Sequence, residues 1–189
     1  MYIIFTHVPK TGGTSIEKAF GFVVPDDAGK HANLTLLKSN MVKQGRQDFY
    51  NDAFKFTIVR NPFDWVASWY FYRKTRPNEN NTKSISFKEW LIDEDSSAYN
   101  IKGIGLTLSQ YDIISCDANI KIDFIGKYEN LQEDFDIICD KIGIPHQQLP
   151  HKNATKHKHY TEYYDDETKS IVAEKYAKDI EYFNYKFGD

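Results

Sequence analysis

An α/β fold built on a mainly parallel sheet, flanked by helices, is what this 189-residue chain predicts. Three observations carry that expectation. An apolar run at Tyr2 to Phe5 feeds a glycine turn and then a helix-like stretch. A second run, Phe54 to Val59, leads straight into Asn61-Pro62 and another helix, and a third, Asp123 to Tyr128, again precedes a helix. Strands that alternate with helices are joined by crossovers, which make neighbouring strands parallel and place ligands at the strand C-termini.

The elements follow in order. After the first strand comes His7-Val8-Pro9-Lys10-Thr11-Gly12-Gly13-Thr14-Ser15, and a short helix is expected from Ile16 to Phe22, broken by the run from Gly21 to Asp27. Asn33 reads as the N-cap of a helix with Leu34, Leu37 and Met41 at helical spacing, closed by Gly45. Phe54 to Val59 alternates and is rich in β-formers, as a strand requires. Asn61 then offers an N-cap and Pro62 fits the first helical position, with Phe63, Val66, Ala67, Tyr70 and Phe71 on one apolar stripe. Residues 73–84 are polar and read as an exposed loop, and Ser86 with Glu89 makes a capping box. Between Asp93 and Ala118 the pattern assigns no element.

The last strand, Asp123 to Tyr128, is followed by Asn130 and Glu133 as a second capping box, for a helix bearing Leu131, Phe135, Ile138 and Ile142 that stops at Gly143. A basic stretch from His151 to His159 precedes a final helix from about Asp166 to Phe183, with Ile171, Val172, Tyr176, Ile180 and Phe183 on one side. Internal repeats and linkers are absent from the pattern, so one domain is expected over residues 1–189.

Composition narrows the function. The formal net charge is only −3, so affinity for a polyanion must come from a local cluster of cations, and broad nucleic-acid binding is not expected. With 13 Tyr, 13 Phe and 41% hydrophobic residues, the chain has ample material for a core. Cys116 and Cys139 lack the CxxC spacing of a zinc or redox site and read as reduced thiols. No apolar run has the length of a membrane helix or a secretion signal, which makes the cytoplasm the expected compartment and membrane insertion unexpected.

The glycine turn carries chemistry. A strand that feeds a loop with one Lys and three hydroxyls, and then a helix N-terminus, presents backbone N–H groups, the helix dipole and a full positive charge to an anion. Lys10 precedes Gly12-Gly13, whereas the nucleotide loop of kinases and ATPases places its Lys after the glycines. Val59 is followed by Arg60 rather than a metal-binding Asp, so magnesium-dependent phosphoryl transfer is disfavoured and no metal is expected. Arg60, between a strand and an Asn-Pro helix start, supplies a second cationic centre.

HVPKTGGTS after an N-terminal strand, followed by FTIVRNPFDWVASWYFY, resembles the sulfotransferases that use 3′-phosphoadenosine-5′-phosphosulfate (PAPS), in particular the group related to the carbohydrate O-sulfotransferases. Weaker matches run in the same order: Lys30-His31, Phe124 to Leu131, and the tail from Asn153 to Phe187. The resemblance implies a P-loop-containing, nucleoside-triphosphate-hydrolase-like three-layer fold. It implies in-line transfer of a sulfuryl group from PAPS to a hydroxyl, or an amine, of a carbohydrate or other small-molecule acceptor.

By that resemblance Lys10, Thr11, Gly12, Gly13, Thr14 and Ser15 bind the 5′-phosphosulfate, and Arg60 with Ser68 the 3′-phosphate. Apart from the resemblance, the basic stretch with Lys152, Lys156, His157, Lys158 and His159 is expected either to close over the donor, with Lys156 as its contact, or to steer an anionic acceptor. Lys10 stabilises charge on the leaving phosphate, and His31 is the general base that an acceptor hydroxyl needs at neutral pH. His7 is expected to be a buried structural residue and Glu129 an architectural one. Among Trp65, Trp69 and Tyr72, some rings are candidates for stacking on sugar or adenine and most are expected in the core. Acceptor choice is assigned to the loops 73–84 and 96–109. Two other classes stay open: a P-loop kinase or NTPase with an aberrant phosphate loop, and a non-catalytic nucleotide-binding protein.

Overall fold

A computed structural model of the chain describes residues 1–21, 34–75, 85–92, 100–101, 104–105, 109–114, 121–150 and 158–189. His31, Lys156 and Cys116 lie outside these residues. In chain order the elements are β1 (Ile3–Thr6), α1 (Gly13–Phe20), α2 (Leu34–Lys43), α3 (Gln47–Asp52), β2 (Phe54–Val59), α4 (Pro62–Lys74) and α5 (Phe87–Ile92). They continue with β3 (Asn100–Ile101), β4 (Ile104–Gly105), α6 (Gln110–Ile114), β5 (Phe124–Lys127), α7 (Leu131–Ile142), α8 (Asp166–Lys175) and α9 (Ala177–Tyr182). They form two compact units, one made of Met1–Arg60 with Asp112–Lys152, the other of Asn61–Tyr111 with Asn153–Asp189.

The first unit holds a parallel sheet in the order β1-β2-β5. Central β2 is buried along almost its whole length, including Lys55, because both of its faces are covered. Phe56 and Ile58 pack with Ile16 of α1 and with Phe135, Ile138 and Cys139 of α7. On the opposite face Ile4 packs with Leu34 of α2 and Tyr50 of α3. The chain is thus an α/β protein with a three-stranded parallel sheet flanked by helices, as its strand–helix alternation predicts. Lys55, which gives β2 its alternating look, is a buried helix cap. Its Nζ donates to the Ala53 carbonyl at 2.9 Å and to that of Asn51 at 3.4 Å, where the end of α3 carries negative charge.

Two expected helix caps form as read. Asn61 accepts the Phe63 N–H at 3.1 Å with Pro62 at the first helical position, and Ser86 and Glu89 exchange hydrogen bonds at the start of α5. Three readings need correction. Helix α1 starts at Gly13, not Ile16, since the glycine turn itself bends into the first helical turn. Asn130 occupies the N-cap of α7 without a side-chain capping bond, so the second capping box is not made; a 3₁₀ turn over Tyr128–Asn130 leads into the helix instead. The single final helix is two, α8 and α9, separated at Tyr176, whose backbone leaves the helical region (φ −112°, ψ 29°).

The second unit is built around aromatic rings of α4. Trp65 sits edge-on to Trp69 and to Tyr176 at centroid distances of 6.4 and 5.6 Å, and Tyr70 packs against Phe87 and Trp90. Trp65 and Trp69 are therefore core residues, while Tyr72 is half-buried at their margin. Among the described residues no helix is long and apolar enough to cross a membrane.

Candidate anion site at the C-terminal edge of the sheet

Register decides what meets at the strand ends. Thr6 pairs with Thr57 and Val59 with Lys127, so the loop after β1, Arg60 after β2 and Tyr128 after β5 all leave the same edge of the sheet. Lys10 and Arg60, some fifty residues apart in the chain, become neighbours for this reason. Arg60 Nη1 donates to the Lys10 main-chain carbonyl at 3.0 Å, and the guanidinium lies 4.1 Å from the centre of the Tyr128 ring. Stacking on one face and a directed hydrogen bond at the rim fix a buried cation beside the loop.

The loop has unusual backbone. Lys10 has φ 66° and Gly12 φ 80°, both left-handed. For a lysine that region costs about 1–2 kcal/mol, and it persists because the neighbours hold it. Arg60 holds the Lys10 carbonyl, and the Thr11 hydroxyl donates to the Val8 carbonyl at 2.7 Å. Left-handed residues alternating with ordinary ones turn successive N–H groups to one side, which makes a concave cradle for an anion.

Close packing under the cradle excludes side chains at both glycines. A Cβ on Gly12 would fall 2.6 Å from Leu131 Cδ2 and against the Tyr128 ring, and a Cβ on Gly13 would run into the His7 ring. His7 is buried as expected, with Nδ1 2.5 Å from Glu17 Oε1 and its ring stacked on Phe5.

The hydroxyls have other partners. Ser15 Oγ donates to the Pro150 carbonyl at 2.8 Å, and the Ser15 N–H is spent on the Gly12 carbonyl. The segment that delivers Pro150 is itself pinned to α7 by one side chain. Gln132 accepts the Leu149 N–H and the Gln148 Nε2 group through its oxygen, and donates to Asp136 and to the Gln147 carbonyl through its nitrogen. Of the basic stretch, Lys158 pairs with Glu162 at 2.9 Å, which raises its pKa, and residues 151–157 lie outside the described set. Ser68 is buried on α4, in the second unit.

Sequence reading singled out Lys10 through Ser15 and Arg60, took the Tyr128-Glu129 pair as architectural without linking it to Arg60, and passed over Glu17; both Tyr128 and Glu17 shape the site. Tyr128 stacks on Arg60 and lies under Gly12. Glu17 orients His7, and its signal was an acid one turn after Gly13, the one charged residue among the buried positions of α1.

A profile of the sulfotransferase family matches residues 2–186. The chain belongs to the sulfotransferase family. Membership supports sulfuryl transfer as its activity. A protein of Archaeoglobus fulgidus, described only as uncharacterised, is 35% identical over 97 residues, 49% of this sulfotransferase-family chain and 69% of its own length. No solved structure matches the chain.

Proposed function

We propose that this chain, acting as one sulfotransferase domain of P-loop type over residues 1–189, moves a sulfuryl group from PAPS to a hydroxyl of a carbohydrate or another small molecule. One observation carries the reading: Lys10 and Arg60 converge at one sheet edge, joined through the Lys10 carbonyl. A donor with anionic groups at both ends of its ribose calls for two fixed cations, and an ordinary nucleoside triphosphate does not. The two glycines support the same reading indirectly: they let the loop pack down on Leu131, Tyr128 and His7, where a Cβ would collide, and so hold its backbone in the left-handed turns that present N–H groups to an anion.

PAPS, when bound, supplies an activated sulfuryl group. The Lys10 ammonium neutralises charge on the 5′ side, aided by the N–H groups of Thr11, Gly12, Gly13 and Thr14 at the start of α1. Thr11 and Ser15 serve by holding the loop in shape, since each hydroxyl gives its proton to a main-chain carbonyl. Arg60 takes the 3′-phosphate, with Ser68 and Lys156 as further contacts, and His31 removes the acceptor's proton.

Adenosine 3′,5′-bisphosphate tests the donor site: it is expected to raise the melting temperature without magnesium, as a ligand specific to the folded state does. Radiolabelled sulfuryl transfer from PAPS to a panel of saccharides, phenols and amines tests the reaction, and Lys10→Ala is expected to abolish it. In His31→Ala, transfer should fail while the bisphosphate still binds. Stabilisation by ATP with magnesium and not by the bisphosphate would overturn the assignment in favour of a kinase or NTPase.

A further inference from the structure

We infer that His7, oriented by Glu17, is a positioning residue that sets the geometry of the anion loop. Three of its contacts bear on how the ring is held. Nδ1 bonds to Glu17 Oε1 at 2.5 Å, the edge bearing Cδ2, Nε2 and Cε1 occupies the place a Gly13 Cβ would take, and Phe5 stacks on the ring at 5.5 Å between centroids. Gly13 and Glu17 are four residues apart and share one face of α1. One ring therefore touches the helix at its first and second turns, while its own backbone continues directly from β1.

Burial makes the choice of residue informative. His7 and Glu17 are 5% and 8% exposed, and a buried polar pair is seldom more stabilising than apolar side chains of the same volume. An apolar filler would pack there without direction. The carboxylate fixes the rotation of the imidazole, the imidazole fixes the distance from the end of β1 to the first turn of α1, and the loop from Val8 to Gly12 spans that fixed gap. Its left-handed turns at Lys10 and Gly12 are thereby preorganised rather than assembled on binding. Glu17 and His7 touch no reacting atom in this scheme; they act through Gly13.

The functional half of this inference rests on the donor reading above, so the experiment has two arms. In the first, without ligand, backbone amide hydrogen exchange is compared between the full-length wild type and two variants, Glu17→Gln and His7→Asn. Asn keeps a donor near Nδ1 and lacks the ring edge that abuts Gly13. Exchange over residues 15–18, where the amides of the turn and of α1 begin to be held by main-chain carbonyls, is expected to quicken about tenfold or more, with β2 and α7 unchanged. In the second arm, calorimetry with adenosine 3′,5′-bisphosphate and acceptor-free hydrolysis of PAPS are measured. Kd and KM are expected to rise about tenfold, and kcat to stay within about twofold.

Exchange that quickens uniformly with unchanged Kd would show a pair that only stabilises the fold and would overturn the inference, as would unchanged exchange over residues 15–18, or a fall in kcat at constant Kd. A wild type that does not bind the bisphosphate overturns the donor reading instead, and the exchange pattern by itself then decides whether the His7–Glu17 pair sets the loop.

Discussion

Arg60 Nη1 donates to the main-chain carbonyl of Lys10 at 3.0 Å, so the two cations of the site are tied through peptide rather than merely adjacent. Like charges brought together repel, and the arrangement limits this by turning the Arg60 fork toward a carbonyl oxygen and a Tyr128 π-face, both of them electron-rich. The register of β1 on β2 makes the link possible, because Thr6 and Thr57 are level and both strands end at that edge.

Replacing Arg60 separates charge from geometry. Arg60→Lys keeps the positive charge and loses the planar fork that reaches the Lys10 carbonyl and the Tyr128 face together. Bisphosphate affinity measured by calorimetry without magnesium is expected to fall about tenfold to a hundredfold, the equivalent of one or two charge-assisted hydrogen bonds. Tyr128→Leu, which keeps the charge and the fork and removes the stacking face, should fall less, and a Tyr128→Leu loss as large as that of Arg60→Lys would show that stacking dominates.

Gly12 and Gly13 fail differently when substituted. At Gly12, alanine meets both a left-handed φ of 80° and the Leu131 methyl, whereas at Gly13 the nearest atoms it meets are those of the His7 ring and φ is not left-handed. Gly12→Ala is expected to lower stability by about 1–3 kcal/mol from strain and overpacking combined. Denaturant unfolding, with the midpoint displaced and the slope unchanged, checks this. Gly13→Ala should be partly relieved by His7→Ala, which opens the space the new methyl needs; additive losses in the double variant would refute the contact.

How much of this was legible in the sequence depended on the range of the interaction. Asn61-Pro62 and Ser86-Glu89 were readable because a cap is settled within four residues, and the cradle because Lys10, Gly12 and Gly13 adjoin a strand end. The capping box at Asn130 had the right letters and failed, since the chain leaves β5 through a 3₁₀ turn that the letters do not encode. Tyr176 lies on the apolar side of what reads as one helix, and its ring packs edge-on to Trp65 across more than a hundred residues, yet its backbone leaves the helical region, which side-chain periodicity does not report. The stacking of Tyr128 on Arg60 and the pairing of Glu17 with His7 were illegible for the same reason: these partners are chosen by sheet register and by the path of the loop.

Asp165 makes the acid stability of the second unit predictable in sign. The Lys88 ammonium at 2.8 Å, and next the Thr168 N–H and hydroxyl at the start of α8, hold its carboxyl well below the usual carboxylate range. The folded state thus binds this proton less readily than the unfolded chain. Its stabilisation is present above the unfolded carboxylate pKa, near 4, and disappears as pH falls from there through the folded value. Asp165→Asn retains the capping oxygen and removes the charge. Its melting temperature should lie below that of the wild type at about pH 7, with the gap closing below about pH 4 and narrowing in high salt, because the pair is half-exposed. A gap that is constant with pH would assign the whole effect to the cap.

Asp179 holds the start of α6 from within α9. It is fully buried, and its two carboxylate oxygens accept the N–H groups of Gln110 at 2.9 Å and Tyr111 at 2.8 Å, two of the donors that a helix start leaves unsatisfied. Removing it strands both donors away from water. Asp179→Ala is therefore expected to cost about 2–4 kcal/mol, beyond the range of an ordinary exposed cap. Asp179→Asn should recover little, since its amide group turns a donor toward one of the two N–H groups. Urea unfolding followed by tryptophan fluorescence checks both variants, because Trp65, Trp69 and Trp90 all lie in the core of this unit. A loss below about 1 kcal/mol in Asp179→Ala would mean that water reaches the freed amides and that the carboxylate is not what anchors α6.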